Sequence, residues 1–335
     1  LLDIRIIWLY PEHGAYHTCA LAPQQIDAAL KDARQRGETP DAVYVTSPDY
    51  LGNILDITGI SNVCKRRGVL FCVDNAHGAY LRFLRQSRHP IDLGADICCD
   101  SAHKTLPALT GAAYLHIGKD APPMFFERAV SALALFASSS PSYLILQSLD
   151  AVNPYLPEFK SRLADFLPAV QELKETLIRH GFQLIGDEPL KLTIAAKSIG
   201  FTGAALAALL EGTGIYPEFY DPDFLVLMFS PLNGEGDLRR LSDALLAIEQ
   251  KPAIASALPP LPRPKRALSV REAIFAPSEL LPVGQCRGRI CAEAAINCPP
   301  AVPIVVCGEE IDAHSIECFR YYGVETCRVV KESPV

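Results

Sequence analysis

Two short segments carry the residues whose types and spacing could do chemistry. The stretch "FCVDNAHGAYL" (residues 71–81) places Asp74 at the end of an apolar run, and "DSAHKTLPALTGAAYLHI" (residues 100–117) places Lys104 just after another. Burying an ammonium is unfavourable unless something compensates its charge. A lysine in this position is therefore a candidate amine nucleophile of the kind that forms Schiff bases.

An aspartate and a lysine at successive strand ends suit a pyridoxal 5'-phosphate (PLP) site. The carboxylate would pair with the pyridinium nitrogen, and the protonated ring would act as an electron sink for a carbanion at the substrate Cα. Small residues between them, Ala76 and Gly78, would let a flat ring approach the backbone. Taken singly, an aspartate at a strand end is more often a cap and an "HK" pair more often lies on the surface.

Polar side chains around the lysine could bind the phosphate of such a cofactor. Ser101, His103 and Thr105 all lie within three residues of Lys104. Each can donate a hydrogen bond, which a phosphate oxygen requires. These three residues are therefore candidate phosphate ligands.

The elements that must position these residues alternate between strand and helix. Apolar runs predict strands at residues 3–10, 42–48, 69–74, 96–101 and 112–118, and helical patterns cover residues 22–37 and 54–68. Near-continuous apolar strands separated by helices predict a mostly parallel α/β sheet covered on both faces. Ligands of such sheets gather at the carboxyl ends of the strands, where Asp74 and Lys104 fall.

The rest of the chain predicts two smaller units. A long helix over residues 159–181 is followed by strands at 190–197 and 225–230 and helices at 203–214 and 238–250, which is an α+β pattern. Five prolines in "KPAIASALPPLPRPKR" predict a semi-rigid linker. The predicted division is a major domain at 1–150, a small α+β domain at 151–250, a linker at 251–266 and a C-terminal domain at 267–335.

Composition excludes several classes of function. A net charge of −7 over 335 residues carries no basic footprint for nucleic acid, and no apolar run is long enough for a membrane helix. The eleven cysteines include no C-x-x-C pair, so we expect reduced, buried thiols in a cytoplasmic protein. The spacing of the tail cysteines matches no common zinc pattern, and we expect no metal.

At this point the chain resembles the Orn/Lys/Arg decarboxylases, PLP-dependent enzymes of the fold-type-I (aspartate aminotransferase-like) group. The family pattern reads approximately D-E-A-H-G-A-H, then G-A-D-I-x-x-x-S-x-H-K-T-L-P-A-L-T, then S-P-S-Y-x-L. Here it falls on residues 74–80, 94–110 and 140–144, and residues 269–311 resemble the family's C-terminal domain. The H-K-T-L-P core is highly specific.

The resemblance implies a role for each matched residue. Lys104 would be the Schiff-base lysine, Asp74 the pyridinium partner, and Ala76 a residue packed on the cofactor ring. Ser101 and His103 would lie at the phosphate. His77 is expected near the site without an assigned step. In the family the serine-rich segment reaches the cofactor of a neighbouring subunit, which would make a homodimer or larger homo-oligomer obligatory. This adds the candidates Ser138, Ser139 and Ser140. A plain polar loop explains the serine run almost as well.

The implied activity is loss of CO₂ from ornithine, lysine or arginine to give the amine, a precursor of polyamines. The sequence does not choose among these substrates. Other fold-type-I enzymes, such as an aminotransferase or an α-oxoamine synthase, and a non-catalytic paralogue remain the alternatives. Asn75 departs from the family's glutamate, and we expect the chain to be an N-terminally truncated member that lacks part of the cofactor cradle.

Overall fold

The computed structural model describes residues 4–11, 18, 20–136, 140–255, 258–259, 262–294, 297–298 and 302–332. Its first part is a four-stranded sheet in the order β1-β2-β3-β4, in which β1, β2 and β3 are parallel and β4 is antiparallel to β3. The elements of this part are α1 (Pro23–Gln35), β1 (Ala42–Thr46), α2 (Ile57–Arg67), β2 (Leu70–Asp74), β3 (Ile97–Asp100), α3 (Ala102–Thr105) and β4 (Tyr114–Ile117).

The helices form where the sequence supplies apolar stripes and end signals. In α2 the Asp56 side chain accepts a hydrogen bond from the Gly59 N–H, and Gly68 ends the helix at a φ of 62°, which glycine adopts readily. Alternate residues of the strands, such as Val45 and Phe71, pack against α1 and α2 in one apolar core. The mostly parallel sheet predicted from the sequence is confirmed.

Two details of the predicted sheet are wrong. Residues 4–10 form no strand, because an apolar segment becomes a strand only when a neighbouring strand pairs with its backbone, and no described residue does so here. The sheet is also not covered on both faces. Tyr44 is 65% exposed and Leu115 is 39% exposed on the face opposite α1 and α2. We call this second face the open face of the sheet.

The second part is an α+β layer built on an antiparallel sheet. The strand order is β5-β6-β8-β7, and the core includes residues of both this part and the first. The helix α5 runs without a break across the predicted domain boundary at 150/151, so the predicted division stays a prediction. The elements of this part are α4 (Pro123–Ala134), α5 (Tyr143–Arg179), β5 (Leu184–Ile185), β6 (Lys191–Ala195), α6 (Gly203–Glu211), β7 (Phe219–Tyr220), β8 (Phe224–Met228) and α7 (Glu235–Leu246).

The third part has its own small core and rests on the second. Strands β9 and β12 pair antiparallel over five residue pairs. The Tyr321 hydroxyl donates to Asp223 Oδ1 at 2.7 Å, and the same carboxylate pairs with Lys197 at 2.8 Å, which joins this part to the α+β layer. The elements of this part are α8 (Val270–Phe275), β9 (Ser278–Pro282), β10 (Asn297–Cys298), β11 (Val302–Pro303), α9 (Ala313–Tyr321) and β12 (Thr326–Val330).

The cysteines follow the expectation from the sequence where the structure describes them. Nine of them are free thiols, and seven of those nine are buried. A buried thiol behaves as a small apolar side chain. Within the described residues, no helix combines the length and the hydropathy that crossing a membrane requires.

Candidate active site

Asp74 is the last residue of β2, and its carboxylate is held at the carboxyl edge of the sheet. The backbone N–H of Ala76 donates to Asp74 Oδ1 at 3.0 Å, and the Tyr44 hydroxyl donates to Oδ2 at 3.3 Å. Asp74 pairs in register with Cys99 of β3, so both side chains lie on the open face. The half-buried carboxylate is therefore fixed in direction and remains accessible. No pattern in the sequence indicated a role for Tyr44.

Lys104 lies on α3, the helical turn that follows β3 directly. The residue as a whole is exposed, which differs from the expected buried ammonium, but its Nζ lies 3.0 Å from His77 Nε2 in a partly buried contact. Removal of the amine from water lowers the pKa of Lys104, and the negative charges of Asp74 and Glu218 act in the opposite direction. The lowered pKa increases the fraction of free amine, which is the nucleophilic form.

His77 is buried between two lysines. Its Nε2 faces Lys104, and its Nδ1 lies 3.4 Å from the Nζ of Lys191, the first residue of β6. Burial is the largest cause, followed by electrostatic effects of Lys191, Lys104 and His103, and together they lower the pKa of His77 to about 2. The imidazole is therefore neutral at physiological pH. His77, which the sequence analysis expected near the site, therefore lies beside Lys104.

The α+β layer supplies a part of the site that sequence reasoning missed. Lys191 forms an ion pair with Glu188 at 3.5 Å, and both side chains are almost fully buried. The Tyr80 hydroxyl donates to Glu188 Oε1 at 2.5 Å. The Tyr50 ring packs edge-on against His77, with 5.0 Å between ring centroids. The charged residues Asp187, Glu188 and Lys191 in and before the apolar strand of "GDEPLKLTIAA" were the only signal in the sequence.

The candidate phosphate ligands are grouped around α3. The Nδ1 of His103 lies 2.9 Å from the Ala112 carbonyl oxygen. A carbonyl can only accept, so Nδ1 carries the hydrogen and donates it, and Nε2 takes no part in this bond. Ser101 precedes the first turn of α3 without a side-chain capping bond. The Thr105 hydroxyl is buried with no hydrogen-bond partner among the described residues. This donor set fits a phosphate.

The two small residues near Asp74, Gly78 and Ala76, have different surroundings. A Cβ added to Gly78 would lie 2.0 Å from Asn75 Oδ1 and 2.8 Å from Leu81 Cδ1. Gly78 is thus required by packing within the chain. Ala76 is half-buried next to the carboxylate of Asp74, where a flat ring could approach it.

The serine-rich segment is only partly described. Ser138 and Ser139 lie outside the described residues, and Ser140 is exposed shortly before α5 begins. A role of these serines in a neighbouring subunit's site stays a prediction.

A buried histidine–aspartate network lies beneath the same strand ends. Asp100 accepts hydrogen bonds from His89 Nε2 at 3.0 Å, His116 Nε2 at 2.9 Å and Asn75 Nδ2 at 2.7 Å. One potential ligand atom from each of His89, Asp100 and His116 lies close enough to the other two for the three to hold a metal ion. However, the Nδ1 of His89 accepts the Ile91 N–H at 3.4 Å, so a ring hydrogen is on Nε2 and points at Asp100. The expected absence of a metal stays a prediction.

Replacing Asp100 with asparagine should lower the free energy of unfolding by about 2–3 kcal/mol at pH 7. Burial alone would raise the pKa of Asp100, but the bonds from His116, His89 and Asn75 outweigh it and lower the pKa to about 2. His89, His116 and Asn75 all donate to Asp100. In the variant, the side-chain NH₂ of the new asparagine would face one of these donors and leave it without an acceptor. Urea unfolding at several pH values measures the effect.

The pH dependence of this effect has a defined sign. A lowered carboxyl pKa adds stability above the unfolded value near 4, and this stability is lost as pH falls through the folded value. The difference in the free energy of unfolding between the Asp100→Asn variant and the parent should become smaller from pH 5 towards pH 2. The exposed Asp120→Asn variant is the matched control. A difference in unfolding free energy that stays constant with pH would contradict the hydrogen bonds assigned to Asp100.

The fold and this edge of the sheet define the class of protein. The chain resembles lysine decarboxylase A from Pseudomonas aeruginosa (TM-score 0.71, 17% identity, 93% of this chain and 60% of that chain). It is also similar to the Francisella novicida lysine decarboxylase LdcF (TM-score 0.70, 15% identity), with coverage of 92% of this chain and 60% of that chain. A Sphingomonas wittichii serine palmitoyltransferase is similar too (TM-score 0.54, 16% identity), with coverage of 68% of this chain and 58% of that chain. The α/β fold is thus that of PLP-dependent decarboxylases and related fold-type-I enzymes.

The family follows from the sequence matches. Residues 2–185 match "Orn/Lys/Arg decarboxylase, major domain", and residues 250–331 match "Orn/Lys/Arg decarboxylase, C-terminal domain". The chain belongs to the Orn/Lys/Arg decarboxylase family, as the motifs predicted.

Curated relatives are similar over most of the chain. From Bacillus subtilis strain 168, the uncharacterized protein YaaO is 32% identical over 315 residues, and an arginine decarboxylase is 30% identical over 304 residues. These alignments cover 86% and 83% of this chain. The chain spans 63% and 61% of the two relatives' lengths.

Proposed function

We propose that the chain carries the active-site lysine of a PLP-dependent decarboxylase that acts on a basic amino acid. The observation that supports this most directly is the meeting of three predicted residues at one edge of the sheet. The Lys104 amine lies 3.0 Å from a neutral His77, and the carboxylate of Asp74 ends the adjacent strand. Relatives named arginine decarboxylase support the reaction class.

The residues present fit PLP by the chemistry of their donor groups. Lys104 would bind the cofactor's aldehyde carbon covalently, and Asp74 would accept the N–H of its pyridine ring. Thr105, whose buried hydroxyl has no other partner among the described residues, and Ser101 would serve the phosphate. When bound, PLP would supply an electron sink for the electron pair released as the substrate carboxylate leaves as CO₂.

The chain's own groups then have separate tasks. The amine of Lys104 can carry a proton to or from the substrate Cα, because burial lowers its pKa and so increases the fraction of free amine. The neutral ring of His77 holds the end of Lys104 by a hydrogen bond without adding positive charge to the site. The Tyr44 hydroxyl and the Ala76 N–H keep the Asp74 carboxylate in one direction.

A cationic substrate fits the charges around Lys104. The carboxylates of Asp74 and Glu218 both act on the amine, and Tyr50 donates a hydrogen bond to Glu218 Oε1 at 3.4 Å. An exposed carboxylate beside the site would attract the charged end of arginine, lysine or ornithine.

Trapping the cofactor tests this function. The chain would be incubated with PLP and reduced with borohydride, and the modified lysine would be mapped by mass spectrometry. Product analysis with the three basic amino acids would follow. A pyridoxyl group on Lys104 together with CO₂ and an amine supports the proposal. A keto acid product would indicate an aminotransferase, and an adduct on a lysine other than Lys104 would contradict the assignment.

We also propose that the chain forms a homodimer or larger homo-oligomer. None of the twelve residues of α4 is buried. Monomeric proteins rarely expose large contiguous apolar surfaces, so this helix and the start of α5 are a candidate subunit interface. The exposed large apolar residues of this apolar surface are Met124, Phe126, Val130, Leu133, Leu135, Phe136, Tyr143, Leu144 and Leu146.

The double substitution Phe126→Asp and Val130→Asp should weaken this association by about 100-fold or more, because apolar side chains would be replaced by buried charges. Light scattering over a range of concentrations measures the molecular mass. The exposed Lys31→Glu variant on α1 serves as a control for a charge change outside the apolar surface. A double variant that is as oligomeric as the parent would exclude this surface.

A further inference from the structure

The contacts of His77 constrain the protonation of both lysines beside it. A neutral imidazole offers one N–H and one lone pair, whereas an ammonium can only donate hydrogen bonds. His77 has Lys104 at 3.0 Å from Nε2 and Lys191 at 3.4 Å from Nδ1. Both contacts are hydrogen bonds only if one lysine is a free amine that accepts the ring N–H.

Burial lowers the pKa of Lys191, and Glu188 and Asp49 act in the opposite direction, but the contacts of Lys191 are those of an ammonium. It pairs with Glu188 at 3.5 Å and donates to the carbonyl oxygens of Tyr50 at 3.1 Å and Asp49 at 3.5 Å. A neutral Lys191 would remove the ammonium that faces the buried carboxylate of Glu188, which is unfavourable, because Lys174 donates to the backbone carbonyl of Glu188, at 2.8 Å, rather than to its carboxylate. Lys191 therefore donates to His77 Nδ1, and the ring hydrogen must be on Nε2.

Lys104 has the opposite surroundings. It forms no ion pair with any described residue, and Asp74 and Glu218 act on it through longer-range charge. Its nearest polar partner is the Nε2–H of His77, which requires an acceptor.

We propose that Lys191 is a positioning residue that directs the Nε2–H of His77 toward Lys104 and so holds Lys104 as a free amine. The inference deepens the proposed function and rests on it, because only the free amine can attack the cofactor's aldehyde. The charged or titratable groups around this chain of contacts are Asp49, Tyr50, Asp74, Tyr80, His103, Lys174, Glu188 and Glu218.

Competitive labelling of the chain with acetic anhydride, without PLP, tests the proposal. Mass spectrometry would compare Lys104 with the exposed Lys31 and Lys119 between pH 6 and pH 10. In the Lys191→Met variant, Lys104 should titrate about one pH unit higher than in the parent, so its labelling at pH 7.5 should fall about tenfold. The Lys191→Arg variant keeps the charge and the donors and should restore the parent curve. Identical curves for the parent and Lys191→Met would overturn the proposal.

A measurement on the parent chain covers the case in which Lys191→Met does not fold. Nitrogen NMR of ¹⁵N-histidine distinguishes the two neutral tautomers, and the His77 signal would be assigned by its loss in His77→Gln. We expect the Nε2–H tautomer from pH 5 to pH 9, and the Nδ1–H tautomer would overturn the proposal. Neither experiment uses PLP, so a PLP adduct on a different lysine would count against the proposed function alone.

Discussion

Replacing Lys104 with alanine should remove the borohydride-trapped pyridoxyl group and lower decarboxylation by at least about 1,000-fold. Lys104 is the only predicted nucleophile at the carboxyl edge of the sheet, and its amine is adjacent to His77. Removing a covalent nucleophile eliminates the step it performs, and the residual rate comes only from binding. Mass spectrometry of the reduced chain and a CO₂-release assay measure the two effects.

Two controls separate nucleophilicity from charge and from folding. The Lys104→Arg variant keeps a positive charge but lacks a nucleophilic amine, so it should fail as completely as Lys104→Ala. The exposed Lys119→Ala variant should behave as the parent does. If Lys104→Ala still carried the adduct, another lysine would be the nucleophile and the site described here would be wrong.

Replacing Asp74 with asparagine should lower turnover by about 1,000-fold or more while cofactor affinity changes by less than about tenfold. A carboxylate that accepts the pyridine N–H keeps the ring protonated, and an amide of the same shape carries no charge to do so. The backbone bond to Ala76 N–H can persist in the variant, so the local turn should be retained. Titration of PLP by absorbance and steady-state CO₂ release separate binding from turnover.

The matched control for this variant is Asp41→Asn, an exposed aspartate just before β1. It should leave both affinity and turnover unchanged. A loss of turnover of only several-fold in Asp74→Asn would mean that the ring is kept protonated by another group, and the role assigned to Asp74 would have to be given up.

The location of Asp74 and Lys104 was predictable because it depends on short-range sequence. Each follows an apolar strand within a few residues, and parallel strands bring their carboxyl ends to one edge of the sheet. The helix α2 was also predictable, since Asp56 and Gly68 mark its ends. Predictions of this kind need only local periodicity and capping.

Other features of the site could not be predicted in this way. The contact between Lys191 and His77 joins residues 114 positions apart. The network at Asp100 depends on His89 and His116 converging from a loop and from an antiparallel strand. Whether a polar residue in an apolar stretch meets its partner or solvent is decided by the packing of distant elements.

The sequence by itself determined the strands and helices between residues 22 and 118, the family and the residues at the two strand ends, because these depend on local patterns and specific motifs. Only the tertiary structure decided that residues 4–10 form no strand, that one face of the sheet is open, and that His77 lies between two lysines. The physical reason is that strand pairing, burial and protonation depend on neighbours in space, and a linear sequence does not state which neighbours those are.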